Sequence, residues 1–342
     1  MRVGVVIQPH EPRAVEFAQA AEEIGVDSLW APEIWGYDAL TGLSYLAART
    51  STIGLGTFVV QLGSRTPAML AGSALSLQQL SGGRFTLGIG VSGPRVMEGW
   101  HGVRFEHPVR RTRETIDIVR MIARGERLRY DGEEYRLPLP DSRGAALVPA
   151  LLPAELPVYV AAMGPANLRL TGELADGWLG NAFIPELAEV FLGPLAEGAA
   201  RAGRDPSALD LVAPVALEVT DDQTRVEALI GEHAAGYAFT IGAMGAGAEN
   251  FYNRAFGRLG FAEQIAEVAE LWQRGDRAAA RAAVPRELGE LTNIIGDRDR
   301  IARRVRAYRG AGIGTLLAKV SGTVEERIAA LGVLVAVARG GG

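Results

Sequence analysis

The 342-residue chain contains no cysteine, which excludes disulfides, a thiolate nucleophile, iron–sulfur clusters and Cys-ligated zinc. Lysine is almost as scarce. Of 35 basic residues only Lys319 is lysine, so no Gly-Lys-Ser/Thr phosphate loop exists, and a Schiff-base enzyme would have to use that one residue. The four histidines, His10, His101, His107 and His233, form neither an H-x-H nor an H-E-x-x-H pair, so no metal site is expected. No apolar run approaches the roughly 18 residues of a membrane span. The opening MRVGVVIQPH is too short for the apolar core of a secretory signal and lacks a small-residue cleavage site. A net charge of −5 gives no electrostatic reason to expect nucleic acid or an anionic membrane as partner. The expectation is a cytoplasmic enzyme acting on a small molecule.

What is present is an alternation of short apolar runs with helical patterns. Strands are predicted at 2–7, 27–32, 52–62, 84–90, 156–164, 176–182, 209–219 and 312–320. Between the first two, residues 13–24 put Val15, Ala18, Ala21 and Ile24 on one helical face, and Gly25 stops the helix. The helix over 66–83 has Thr66 as cap, Pro67 in its first turn and Gly82-Gly83 at its end. A helix over 107–125 turns Ile116, Val119, Ile122 and Ala123 inward, and 129–137 reads as a hairpin turning at Asp131-Gly132. Residues 221–309 are mostly helical and too long for one crossover; Ile301, Val305 and Tyr308 mark the last helix there. Thr323 and Glu326 have the spacing of a capping box.

Strands joined through helices pair in parallel, and eight such units imply an α/β fold, a (β/α)8 TIM barrel with insertions after strands 4 and 7. An open doubly wound sheet with a second domain is the rival, and periodicity alone does not separate them. The chain shows no linker or break in composition, which favours a single domain over 1–342 with a helical insertion at about 221–309.

The stretch FTLGIGVSGPRVMEGWH (85–101) holds Gly88, Gly90 and Gly93 in G-x-G-x-x-G spacing. A dinucleotide fingerprint opens a helix at its third glycine, and an acidic residue follows at the end of the next strand about 20 positions on. Here Pro94 and a loop follow, then a helix carrying Glu114, so a nicotinamide dehydrogenase is disfavoured. Glycines at the end of a barrel strand still let backbone N–H groups approach an anion, or simply make a tight turn.

LSGGRFTLGIGVSGPRVMEGWHG followed by RTRETIDIVR resembles the luciferase-like superfamily and, more narrowly, its coenzyme F420-dependent oxidoreductases, related to methylenetetrahydromethanopterin reductase. IGLGTFVVQLGSRTPAMLA, YDGEEYRLPLP, LPVYVAAMGPANLRLTGELADGWL, GAMGAGAENFYNRAFGRLGF and AGIGTLL agree, in order, over nearly the whole chain. The resemblance implies a closed barrel with a deazaflavin, coenzyme F420, across its C-terminal mouth. It implies a non-prolyl cis peptide behind the ring at Phe58-Val59, although TFVVQL alone reads as an ordinary buried strand. It assigns Val91, Ser92 and Gly93 to the cofactor phosphate and Ala162, Met163, Gly164 and Pro165 to the ring. Asn181 falls where relatives place a polar ring contact; on sequence alone it is equally a turn residue.

Glu33 matches an acidic residue near the ring and is the catalytic candidate, as proton acceptor or as holder of the ring's polar edge. Some relatives carry a histidine at the next position; this chain has Ile34, so Glu33, Trp35, Tyr37 or the substrate must supply any proton. Trp35, Tyr37 and His101 are assigned to the substrate pocket, and Lys319, ending strand eight, is near the mouth. The implied activity is hydride transfer between the deazaflavin and an organic substrate, in a homodimer. The alternatives are an FMN-dependent luciferase-like monooxygenase and an F420-binding protein without redox turnover.

Overall fold

The computed structural model describes residues 1–244 and 250–340. Eight parallel strands follow one another around a closed sheet: β1 (Arg2–Val6), β2 (Ser28–Ala31), β3 (Gly54–Thr57), β4 (Phe85–Gly90), β5 (Val158–Ala161), β6 (Gly177–Leu179), β7 (Asp210–Val219) and β8 (Thr315–Lys319). Closure is made by β8 on β1, in register from Arg2↔Thr315 to Val5↔Ala318. The expected barrel is therefore the observed one.

Alternation along each strand separates two apolar layers. Val3, Val5, Leu29, Leu55, Leu87, Val158, Leu316 and Ala318 face outward into the main core under the helices. Trp30, Leu179, Val212 and Leu317 fill the barrel interior, with Val6, Phe58, Val59, Tyr159 and Ala161 packed against them.

The outer ring comprises α1 (Ala14–Glu23), α2 (Ala39–Ala47), α3 (Pro67–Leu80), α4 (Pro108–Ala123), α5 (Pro165–Leu174) and α6 (Glu189–Arg201). After β7 come α7 (Gln223–Ala243), α8 (Ala262–Gln273) and α9 (Arg298–Gly310), with shorter helices between them, and α10 (Val324–Ala338) ends the ring. The Thr66 hydroxyl caps α3, and Thr323 with Glu326 closes a capping box on α10. The inward residues expected on α4 are buried, as are Ile301, Val305 and Tyr308 on α9.

Three local expectations are corrected. The buried face of α1 is Ala14, Phe17, Ala18 and Ala21 rather than one running from Val15 to Ile24, because the fully buried Phe17 ring sets the orientation. The hairpin pairs Tyr130 with Leu137 and Asp131 with Arg136, so its turn is 132–135 and not Asp131-Gly132. The cause is Glu114, buried on α4, whose carboxylate accepts the backbone N–H groups of Glu133, Glu134 and Tyr135 at 2.8–3.2 Å. Within the stretch read as mostly helical, Ile294–Gly296 pairs in parallel with Leu217–Val219. Three residues carry no periodicity by which to be seen.

A second carboxylate ties α1 to the loop before β3. Glu22 accepts N–H bonds from Ser51, Thr52 and Ile53 and one from the Thr52 hydroxyl. Burial alone would push this carboxyl up, but those donors outweigh it and hold the group at about 2, against an ordinary 4.5. A depressed carboxyl stabilises the fold above its unfolded value and loses that contribution as pH falls through its folded value. Glu22→Gln is therefore expected to cost about 1 kcal/mol in urea unfolding at pH 7, after allowance for solvent screening. The gap between the two proteins should close as pH falls from 4.5 to about 2; a pH-independent gap would refute the linkage.

Candidate active site

The site starts from a register change in β3. Leu55 and Gly56 pair with Phe85 and Thr86, whereas Val60 and Gln61 pair with Ile89 and Gly90. The third strand thus spends one residue more than the fourth over the same length, which is a bulge. Within it the Phe58–Val59 peptide is cis, the geometry the resemblance implies for this pair. Both successive side chains, Phe58 and Val59, pack with the interior layer.

The glycine spacing in β4 is explained by this bulge. A Cβ on Gly88 would lie 1.9 Å from the Thr57 carbonyl oxygen, and one on Gly90 would lie 2.6 Å from Val59 Cγ2. The Thr57 hydroxyl donates to the Gly88 carbonyl at 2.7 Å and accepts the Gly88 N–H at 2.8 Å. A Cβ on Gly93 would lie 2.8 Å from the Met244 carbonyl oxygen. Each glycine gives way to neighbouring protein rather than to a dinucleotide.

At the C-terminal ends of β3 to β6 lies a cavity of about 460 Å³, within the range of small-molecule and cofactor sites. Phe58, Val59, Val91, Ser92, Ala162, Met163, Gly164, Pro165 and Asn181, all assigned from sequence to the cofactor, line it together. Gly93 does not, because it is turned against Met244. Ser92 takes a left-handed backbone, with φ of 60°. The facing wall comes from the insertion after β7 and was not foreseen: Met244, Phe251, Tyr252, Arg254 and Arg258. The segment GAMGAGAENFYNRAFGRLGF supplies them, though its residues 245–249 lie outside those described.

Arg254 and Arg258 are the charged residues in the described wall, which holds no carboxylate. Arg258 donates to the Met163 carbonyl at 2.5 Å, and burial, with Arg254 nearby, holds its guanidinium below the usual arginine range. Burial pushes the Tyr252 phenol up, opposed by its hydrogen bond with Asn181. A chamber walled by Val59, Ala161, Leu179 and Met163, with a hydroxyl and two guanidinium groups at its edge, fits a flat apolar ring bearing an anionic tail.

The remaining sequence-predicted residues lie outside this wall. Both Glu33 oxygens are held by Arg65, at 2.8 and 2.7 Å, and one also accepts the Ala39 N–H. Arg65 in turn pairs with Asp38. Glu33 is thereby tied to the entrance of α2 and does not present a free carboxylate to the cavity. His101 Nε2 lies 3.0 Å from Gln61 Oε1, and the Gln61 amide donates to the Glu33 carbonyl, so these three form a polar chain beside the bulge. Trp35 meets Phe239 of α7, with ring centroids 6.5 Å apart. Tyr37 stacks on His10 at 3.8 Å in a separate hollow between the loops that follow β1 and β2. Among the described residues no group of three or more His, Asp or Glu could hold a metal ion.

A closed barrel with a bulged third strand and an apolar chamber at its carboxyl rim defines a (β/α)8 protein with a preformed small-molecule site. The chain belongs to the luciferase-like monooxygenase family, whose model matches residues 1–315. It is 38% identical over 328 residues to a Mycobacterium tuberculosis protein named provisionally as a coenzyme F420-dependent oxidoreductase, with 93% of each chain covered. It is 33% identical over 230 residues to a 5,10-methylenetetrahydromethanopterin reductase of Methanolobus tindarius, covering 66% of this chain and 68% of that one. The solved coenzyme F420-dependent tetrahydromethanopterin reductase of Methanopyrus kandleri superposes with a TM-score of 0.77 at 22% identity, over 98% of this chain and 97% of that one. These relatives support an oxidoreductase. No described helix is long and apolar enough to cross a membrane.

Proposed function

We propose that this protein is a coenzyme F420-dependent oxidoreductase that moves a hydride between the deazaflavin and a small organic substrate in the cytoplasm. The observation that carries the reading is the chamber itself: the bulge at Phe58–Val59 and the segment Ala162–Pro165 line it together, with two arginines of the insertion after β7. When bound, the deazaflavin supplies two-electron hydride chemistry and reacts poorly with oxygen. The chain's own work is binding and orientation. Val59, Ala161, Leu179 and Met163 exclude water from the ring's faces. Asn181, held by Tyr252, offers an amide to its polar edge. Ser92, Arg254 and Arg258 meet the phosphate. Glu33, locked to Arg65, positions the loop after β2 rather than exchanging a proton.

The family's description as monooxygenases favours a second reading, with FMN in the same chamber and oxygen as co-substrate. Anaerobic titration with F420 and with FMN, followed by turnover of the reduced protein with and without oxygen, separates the two. Saturable F420 binding and oxygen-independent oxidation by an activated alkene, imine or carbonyl compound is the expected result. FMN binding with strict oxygen dependence would replace it, and F420 binding without turnover of any compound would reduce the protein to a cofactor carrier.

We further propose a homodimer through the outer surfaces of α2 and α3, where Tyr45, Met69 and Leu80 stand 51%, 60% and 70% exposed. A monomer by sedimentation would remove that assignment.

A further inference from the structure

A lysine is anomalous in a chain whose other cations are all arginine. The two differ in chemistry: a guanidinium holds its proton at any working pH, whereas an ammonium group gives one up when its surroundings disfavour charge. Lys319 is the last residue of β8, paired with Ala216 of β7. It follows by two the interior residue Leu317, so it lies on the strand's inner face, at the carboxyl rim. Its ammonium nitrogen stands 5.8 Å from the centroid of the Phe58 ring; Phe58 lines the chamber, and Lys319 lies behind that ring rather than in the described wall.

The group is not committed elsewhere. Among the described residues Lys319 has no hydrogen bond or ion pair, and its contact is the Phe58 ring face. The nearest acid along β7, Glu218, is engaged by His233 at 3.2 Å and by the Ser321 hydroxyl at 3.4 Å. Lys319 is exposed at the rim, yet the protein packed around its ammonium pulls it below the ordinary lysine range. With Glu33 bound to Arg65, and Tyr37 in the separate hollow beside His10, neither acid foreseen from sequence lines the chamber.

We propose that Lys319 is the proton donor of the site and anchors the oxygen or nitrogen of a carbonyl or imine substrate. In the reducing direction one Nζ–H bond breaks and an O–H or N–H bond forms. The carbon–heteroatom π bond is spent, and the carbon gains the hydride of the reduced deazaflavin. The neutral amine then takes a proton from water; the reverse direction uses the neutral amine as base. The inference rests on the proposed F420 reading for its reductant, but its first test does not.

Because the chain has one lysine, reductive ¹³C-methylation labels only Lys319 and the N-terminal amine, and K319R assigns the two NMR signals. In the cofactor-free protein the Lys319 signal is expected to titrate below the range of free dimethyl-lysine. Acetate, as a small oxyanion probe, should raise that midpoint. A midpoint at the free value that ignores acetate overturns the proposal. In the holoenzyme, K319R keeps the charge without a releasable proton. It is expected to bind F420 within about twofold of the parent and to lose about 10²-fold or more in turnover of the best carbonyl compound found. Parental turnover in K319R also overturns the proposal. If the parent binds no F420 while its lysine titrates as expected, the cofactor reading falls and the lysine assignment stands.

Discussion

Gly88→Ala is expected to destabilise the protein by about 3 kcal/mol or more, and Gly72→Ala to stabilise it by about 0.5–1 kcal/mol. The two changes are chemically identical. At Gly88 the new methyl group would lie 1.9 Å from the Thr57 carbonyl oxygen, a backbone atom held from both sides by its strand. Relief requires β3 and β4 to part at the position where the Thr57 hydroxyl bonds both the Gly88 N–H and C=O. Parting them also breaks those buried bonds. Gly72 lies within α3 with nothing within 4 Å of its notional Cβ, so alanine there only reduces the entropy lost on folding. Urea unfolding of the three proteins reads the contrast. Equal effects at both sites would show that the strands do not approach as described.

Ala161→Phe should abolish the cofactor site while sparing the fold. Ala161 ends β5 on the interior face and lines the chamber between Val59 and Leu179. The cavity already lies in front of it, so a phenyl group there has room, and melting within a few degrees of the parent is expected. F420 affinity should fall 100-fold or more, because the ring fills the volume the cofactor needs. Parallel binding titrations of parent and variant, each with its unfolding curve, measure both halves. Unchanged affinity would place the cofactor elsewhere. A collapsed fold would show that the chamber is not a preformed hollow.

The barrel was legible because its signals are local. Buried β-branched runs alternate with helices, and Thr66-Pro67 and Thr323 with Glu326 mark helix starts within four residues of sequence. Closure itself is a contact between β1 and β8, and came from family resemblance rather than from periodicity. The same resemblance assigned residues that do line one cavity, from Phe58 to Asn181.

What stayed hidden are contacts between elements distant in sequence. Gly93 reads as a phosphate loop but gives way to Met244, 151 positions later. Glu33 reads as a free carboxylate until Arg65 closes on it, and nothing in WAPEIWGYD announces that partner. Arg258 and Tyr252 sit in a helical insertion whose docking over β5 and β6 no local pattern encodes. Composition alone carried one further signal, a single lysine among 35 basic residues.

The central claim is that the chamber between the Phe58–Val59 bulge and the β4–β6 rim holds a tricyclic redox ring. The most direct measurement is a crystal structure of the protein soaked with F420. Planar density against Val59, reaching Ala162–Pro165, with phosphate density at Ser92 and the Arg254–Arg258 edge, is the expected result. Ring density in the hollow beside His10 and Tyr37, or a dinucleotide laid along Gly88–Gly93, would contradict it.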